Sequence, residues 1–123
     1  GRARRVRKMA GGAMRQAGVL AAAASHALDH HVERLAQDHA LAQRLARGLE
    51  GVGGVQVEPP QTNIVFVDLV GDARSRSQEL LQHLATNGVL ATGLYRLRFV
   101  THLDVDAAGV DRAVAAIRAF FRD

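Results

Sequence analysis

The stretch NIVFVDL, residues 63–69, decides the fold class of this chain. Its β-branched and aromatic side chains follow one another almost without a break, which is typical of a strand at an inner sheet position or of one buried on both faces. Gly71-Asp72 ends the run with a turn. The segment VQV, residues 55–57, predicts a strand that precedes this run. That strand must be short, because Pro59-Pro60 prevents its extension.

A third strand is predicted in LYRLRFV, residues 94–100, where apolar and basic side chains alternate. One face carries Tyr95, Leu97 and Phe99, and the other carries Arg96, Arg98 and Val100. An arginine on a strand that faces an interior needs an anion, and a guanidinium binds a carboxylate through two parallel hydrogen bonds. The alternative is that one or both arginines face water on an outer strand. Both can do so only if this face of the sheet is solvated, so one of the two is a candidate carboxylate ligand.

Helices are predicted on both sides of these strands. A helical pattern runs from Met14 to Leu49, with a break expected near Asp29 to His31 because one helix of that length would be unusual. QELLQHLATNG predicts a helix capped by Ser75 or Ser77, and Asp106 is placed to cap a last helix. One broad face of the first pattern collects the apolar residues Leu28, Val32, Leu35, Ala42, Leu45 and Leu49.

The order of elements, two helices and then β-β-α-β-α, predicts an α/β fold. We expect a small sandwich in which helices cover one face of a mainly antiparallel sheet, preceded by an Ala-rich helical block. Residues 1–50 are predicted to form a basic segment and helical block, and residues 51–123 a small α/β domain. The helical block is too thin to hold a core alone, so we expect it to pack against something outside this chain.

Composition narrows the classes of function. The chain has 123 residues, 48% of them hydrophobic, and no cysteine, so a disulfide framework and a thiolate metal site are excluded. The longest uncharged run, residues 16–28, is too short to span a bilayer, and a cytoplasmic location is expected.

The N-terminal GRARRVRKMAGGAMRQ concentrates the positive charge. Six basic residues and no acid occupy the first fifteen positions. Three interpretations remain open here: a solvated arm, a small-anion site that uses the backbone N–H groups of Gly11, Gly12 and Ala13 at a helix start, and a nucleic-acid or interaction module. Nucleic acid is the less favoured partner, because no aromatic side chains are interleaved with the basic ones.

Histidines form a second pattern, with His26 and His30 four residues apart on a predicted helix. That spacing suits a metal held by two imidazoles, but no HExxH motif or third ligand accompanies it. No metal site is predicted.

Three stretches together identify a family. RARRVRKMAGGAMRQAGVLAAA, QTNIVFVDL and LRFVTHLDVD, in this order, resemble the C-terminal part of the low-specificity L-threonine aldolases. The resemblance implies the C-terminal domain of the aspartate-aminotransferase fold type. It also implies a pyridoxal-phosphate enzyme that cleaves β-hydroxy-α-amino acids to glycine and an aldehyde, as a homo-oligomer of two or four chains.

The resemblance assigns roles to three residues where the motifs match. Arg98, two residues before Val-Thr-His, corresponds to the arginine that binds the substrate α-carboxylate. Arg15 corresponds to an arginine near the cofactor phosphate, and Lys8 to a lysine at the mouth of the active site that contacts substrate. His102 is expected to make a structural hydrogen bond.

The sequence departs from the family motif at two positions and lacks one residue that the family needs for catalysis. Ala13 stands where the family has a third glycine, and Val6 where it has a large aromatic residue. The lysine that binds the cofactor covalently belongs to a domain that precedes this segment in the family, so no catalytic residue is assigned here and the chain is expected to be an inactive fragment by itself. Lys8 matches the second lysine of the family.

Overall fold

The chain divides at Arg34 into two units, Gly1–Arg34 and Leu35–Asp123, in a computed structural model that describes residues 1–122. The first unit contains α1 (Arg2–Met9) and α2 (Ala17–His30), and neither helix buries a residue. The predicted boundary between residues 50 and 51 stays a prediction.

Helix α1 lies in the basic N-terminal segment, where the sequence analysis predicted no helix before Met14. Arginine and lysine are good helix formers, and a glycine pair terminates the run. Gly11 has a positive φ of 77°, and its N–H donates to the Lys8 carbonyl at 3.2 Å. The Gly12 N–H donates to the Arg7 carbonyl at 2.8 Å. These two bonds form a Schellman C-cap, so the glycines end a helix instead of beginning one.

Helix α2 stops at His30, which confirms the predicted break. The break also divides the predicted apolar face. Ala42, Leu45 and Leu49 are buried in the second unit, whereas Leu28, Val32 and Leu35 are exposed. The prediction of one broad face was therefore wrong for these three residues: Leu28 and Val32 lie outside α3, and Leu35 is its first residue.

The second unit begins with α3 (Leu35–Gly48) and continues through alternating strands and helices. They are β1 (Val55–Val57), β2 (Ile64–Leu69), a 3₁₀ helix (Gly71–Arg76), α4 (Ser77–Thr86), β3 (Arg96–Val100) and α5 (Ala107–Phe120). The strands form an antiparallel sheet in the order β1-β2-β3. This confirms the predicted α/β class and the inner position of β2.

One face of the sheet is covered by α3, α4 and α5. Burial alternates along β2, so this strand is fully buried on the helical side only, and the interpretation of burial on both faces was wrong. The largest fully buried side chains lie between the sheet and the helices: Leu49, Val65, Val67, Leu69, Leu80, Leu84, Leu97 and Ile117. The opposite face, which we call the outer face, carries Phe66, Asp68, Arg96 and Arg98.

The helix caps follow the sequence in one case and depart from it in another. The Asp106 carboxylate accepts the Gly109 N–H at 2.7 Å, which confirms the predicted cap of α5. Neither Ser75 nor Ser77 caps α4: its N-cap residue is Arg76, and the Ser75 hydroxyl donates to the Asp72 carbonyl within the 3₁₀ turn. The 3₁₀ helix that leads directly into α4 replaces the predicted cap.

An ion pair joins α3 to α5 on the helical side of the sheet. Arg44 donates two hydrogen bonds of 2.7 Å to the two carboxylate oxygens of Asp111. The hydrogen bond from Arg44 holds the pKa of the Asp111 carboxyl below its ordinary value of 3.8. Because the folded pKa is the lower one, the pair stabilises the fold above pH 3.8 and loses that contribution as the pH falls through the folded pKa.

Asp111→Asn is therefore expected to lower Tm at neutral pH and to lose this effect in acid. Thermal unfolding followed by circular dichroism across the acid range measures the difference between wild type and variant. Arg44→Ala is the matched control and should flatten the pH dependence in the same window. A Tm difference that stays constant from neutral pH to well below 3.8 would contradict the ion-pair explanation.

Candidate functional site

The two strand arginines lie on the outer face of the sheet, and they differ in whether their guanidinium groups have partners. Asp68 lies directly opposite Arg96, and Phe66 lies directly opposite Arg98. The Arg96 guanidinium forms an ion pair with Glu58, lies 3.7 Å from an Asp68 carboxylate oxygen, and has its Cζ 4.4 Å from the centroid of the Phe66 ring. Arg96 is thus held by three neighbours.

Arg98 has no such neighbours. Its side chain is exposed, and within residues 1–122 its guanidinium makes no hydrogen bond or ion pair. Its backbone is fixed, because its N–H donates to the Thr92 carbonyl at 2.9 Å. Both strand arginines are exposed, so the expectation that one of them faces an interior was wrong. Arg98 is a strand residue with a hydrogen-bonded backbone N–H and an uncommitted guanidinium.

The end of β3 is anchored by Thr101, a residue that the sequence analysis did not single out. Its side chain is buried, and its hydroxyl donates to the Asp38 carbonyl at 2.7 Å. The backbone of Thr101 makes two hydrogen bonds with Asn63. The Thr101 N–H donates to the backbone carbonyl of Asn63, and the side-chain amide of Asn63 donates to the backbone carbonyl of Thr101. These bonds hold β3 against the start of β2 and against α3.

Thr101→Val is expected to destabilise the fold by about 1–3 kcal/mol, because it removes a buried hydroxyl that donates to the Asp38 carbonyl and also lies 3.3 Å from the Asn63 carbonyl. Urea unfolding measures this difference. Thr86→Val is the matched control, since the Thr86 hydroxyl also donates to a backbone carbonyl but is exposed. Equal effects of the two substitutions would show that the burial of Thr101 is irrelevant.

His102 follows directly and lies in a turn. Its ring Nδ1 accepts the Asp104 N–H at 3.3 Å, and its carbonyl accepts the Val105 N–H at 2.9 Å. These bonds agree with the structural hydrogen bond expected from the sequence.

Lys8 and Arg15 lie in the first unit. Lys8 is exposed in the last turn of α1, and Arg15 is exposed in the turn before α2. The Gly11 and Gly12 N–H groups already cap α1, so the interpretation in which these two groups bind an anion at a helix start was wrong. Ala13 needs no glycine-like conformation here, since no residue other than glycine has a positive φ in the described chain.

The remaining patterns add no second site. The rings of His26 and His30 lie 4.4 Å apart, but the described residues contain no group of three or more metal-ligating side chains. No helix in the described part of the chain is long and apolar enough to cross a membrane.

Sequence comparisons agree with the motifs on which the site is built. Residues 1–72 match the sequence profile described as "Beta-eliminating lyase". The chain belongs to the β-eliminating lyase family. It is 40% identical over 119 residues to the low specificity L-threonine aldolase of Escherichia coli K12, and the match covers 97% of this chain and 34% of that protein.

Of two further relatives, one is also named a threonine aldolase and the other an alanine racemase. The chain is 37% identical over 113 residues to low-specificity L-threonine aldolase 1 of Arabidopsis thaliana, with 89% of this chain and 32% of that protein covered. It is 33% identical over 119 residues to alanine racemase TOXG of Cochliobolus carbonum, with 90% of this chain and 30% of that protein covered. The chain thus spans about a third of the length of these curated relatives.

Proposed function

We propose that this chain supplies the carboxylate-binding part of a threonine aldolase that cleaves L-threonine and L-allo-threonine to glycine and acetaldehyde. The observation that carries the proposal is the contrast on the outer face: Arg96 is committed to Glu58 and Asp68, whereas Arg98 is free to bind an anion. The residue that the family resemblance assigns to the carboxylate is thus the arginine without a competing partner.

Pyridoxal phosphate is the cofactor of this proposal. An anionic group suits the first unit, because Arg15 is exposed, forms no ion pair within residues 1–122 and has no acidic residue before Asp29 in the chain. Arg15 would contact the cofactor phosphate. When bound, the cofactor withdraws electrons from the α-carbon of the amino acid.

The residues of this chain bind and orient the substrate. The guanidinium of Arg98 donates two parallel hydrogen bonds to the α-carboxylate, which fixes the orientation of the amino acid as well as its position. A fixed carboxylate limits rotation of the α-carbon, so the bond to the β-carbon is held in the direction required for cleavage. The family resemblance also names Lys8, an exposed residue of the first unit, as a substrate-binding residue of the complete enzyme, and its positive charge suits an anionic substrate. Assembly into a homo-oligomer and a cytoplasmic location stay predictions.

The test is an assay of the polypeptide that carries this chain, purified and supplied with pyridoxal phosphate. We expect acetaldehyde from L-threonine and L-allo-threonine, detected by NADH consumption with alcohol dehydrogenase, and an equal amount of glycine. The 123-residue chain by itself is the control and should be inactive. Racemisation of alanine without release of acetaldehyde would overturn the proposed reaction and favour the activity named for TOXG.

A further inference from the structure

The register of the sheet places both carboxylates of the outer face within range of Arg98. Asp68 is the diagonal cross-strand neighbour of Arg98, since Asp68 pairs with Arg96 and Phe66 pairs with Arg98. Diagonal neighbours lie within reach of long side chains. Glu58 lies in the same cross-strand row as Phe66, because its N–H donates to the Phe66 carbonyl.

Arg96 lies over the ring of Phe66, the residue directly opposite Arg98. Its guanidinium reaches from the row of Asp68 across the Phe66 ring to Glu58, and so contacts both acidic side chains. The Phe66 ring stabilises this position because an aromatic face attracts a cation. Both acids are thereby paired on the side of the sheet where Arg98 stands alone.

We infer that Arg96 is a positioning residue for carboxylate recognition: it holds Glu58 and Asp68, and so keeps the Arg98 guanidinium available to the substrate. The effect on catalysis rests on the proposed function, whereas the claim that Arg96 keeps Arg98 unpaired does not. Without Arg96, the two carboxylates on the outer face would lose their cation. Arg98 is two residues along β3 on the same face and is the diagonal neighbour of Asp68. Arg98 would then form an internal ion pair that substrate has to displace.

The structural part is tested in the ¹⁵N-labelled chain by NMR of the arginine Nε–Hε groups. We expect the Arg98 Hε of the wild type to exchange rapidly with water, and to become protected in Arg96→Ala. In the triple variant Arg96→Ala/Glu58→Gln/Asp68→Asn, the protection should disappear, because no carboxylate remains for Arg98. An Arg98 Hε signal that is the same in all three proteins would overturn the inference.

The functional part is tested by steady-state kinetics in the polypeptide that carries this chain. Arg96→Ala should raise KM for L-threonine about fivefold, the strength of an exposed ion pair that substrate must displace, with little change in kcat. The triple variant should restore KM, and Arg96→Lys should keep it near the wild-type value. A KM that stays raised in the triple variant would show that Arg96 acts by another route.

A matched control removes an ion pair from the helical side of the sheet. Arg44→Ala breaks the Arg44–Asp111 pair and should leave both KM and the Arg98 signal unchanged.

The proposed function and the inference about Arg96 can fail independently of each other. If the polypeptide has no aldolase activity, the NMR series still decides whether Arg96 keeps Arg98 free. If Arg98→Ala impairs catalysis but Arg96→Ala alters neither KM nor the Arg98 signal, only the inference fails.

Discussion

Replacement of Arg98 by alanine is expected to lower kcat/KM for L-threonine about a hundredfold in the polypeptide that carries this chain. Loss of a bidentate, charge-assisted contact costs about 2–5 kcal/mol, and each 1.4 kcal/mol is a factor of ten. Most of the effect should appear in KM, with a smaller loss in kcat from poorer orientation of the substrate. Steady-state kinetics with coupled detection of acetaldehyde measures both.

Two further variants define the contribution of Arg98. Arg98→Lys keeps the charge but loses the planar fork, so we expect it to recover only part of the lost activity. Arg47→Ala is the control, since Arg47 is an exposed arginine at the end of α3 on the helical side. Equal kcat/KM values for wild type and Arg98→Ala would remove Arg98 from the site.

Gly93→Ala is expected to destabilise the fold by about 2–4 kcal/mol, more than alanine at any other glycine of the described chain. Gly93 has a φ of 99°, and a Cβ at this position would overlap the backbone carbonyl oxygen of Arg96. This tight turn also brings Thr92 to the N–H of Arg98 and the Tyr95 carbonyl to the N–H of Leu69. Carboxylate binding should therefore weaken together with stability.

Two other glycines separate the causes of this effect. Gly88 has a φ of 72° but open space around it, so Gly88→Ala should show only the cost of the backbone conformation. Gly53 has open space and no positive φ, so Gly53→Ala should be near neutral. Urea unfolding of the three variants should rank Gly93 above Gly88 and Gly88 above Gly53. Equal losses at Gly93 and Gly88 would mean that the Arg96 carbonyl moves aside at no cost.

The sequence predicted much of the fold because local pattern and burial agree in the second unit. The apolar run at Ile64–Leu69 became the central strand, and the alternation around Leu97 placed both arginines on one face. The first unit was predicted less well. A Gly-Gly pair permits both a helix end and an anion loop, and only the Schellman hydrogen bonds distinguish them.

The site was predictable in its residue types but not in the roles of its two arginines. Alternation places Arg96 and Arg98 on the same face, and it does not tell which one is paired. That distinction depends on cross-strand register, which sets Asp68 opposite Arg96 and brings Glu58 beside Phe66. Register is a property of paired strands, so the sequence of β3 alone does not predict which residues of β2 and β1 lie beside its arginines.

The central claim, that Arg98 binds the substrate carboxylate, is tested most directly by changing the arginine and the carboxylate together. kcat/KM for cleavage is measured in wild type and in Arg98→Ala, each with L-threonine and with the corresponding amino alcohol, in which the carboxylate is replaced by a hydroxymethyl group. We predict that wild type prefers L-threonine strongly and that Arg98→Ala loses most of this preference while cleaving the amino alcohol as wild type does. An equal loss on both substrates would contradict the claim, because it would show that Arg98 acts on something other than the carboxylate.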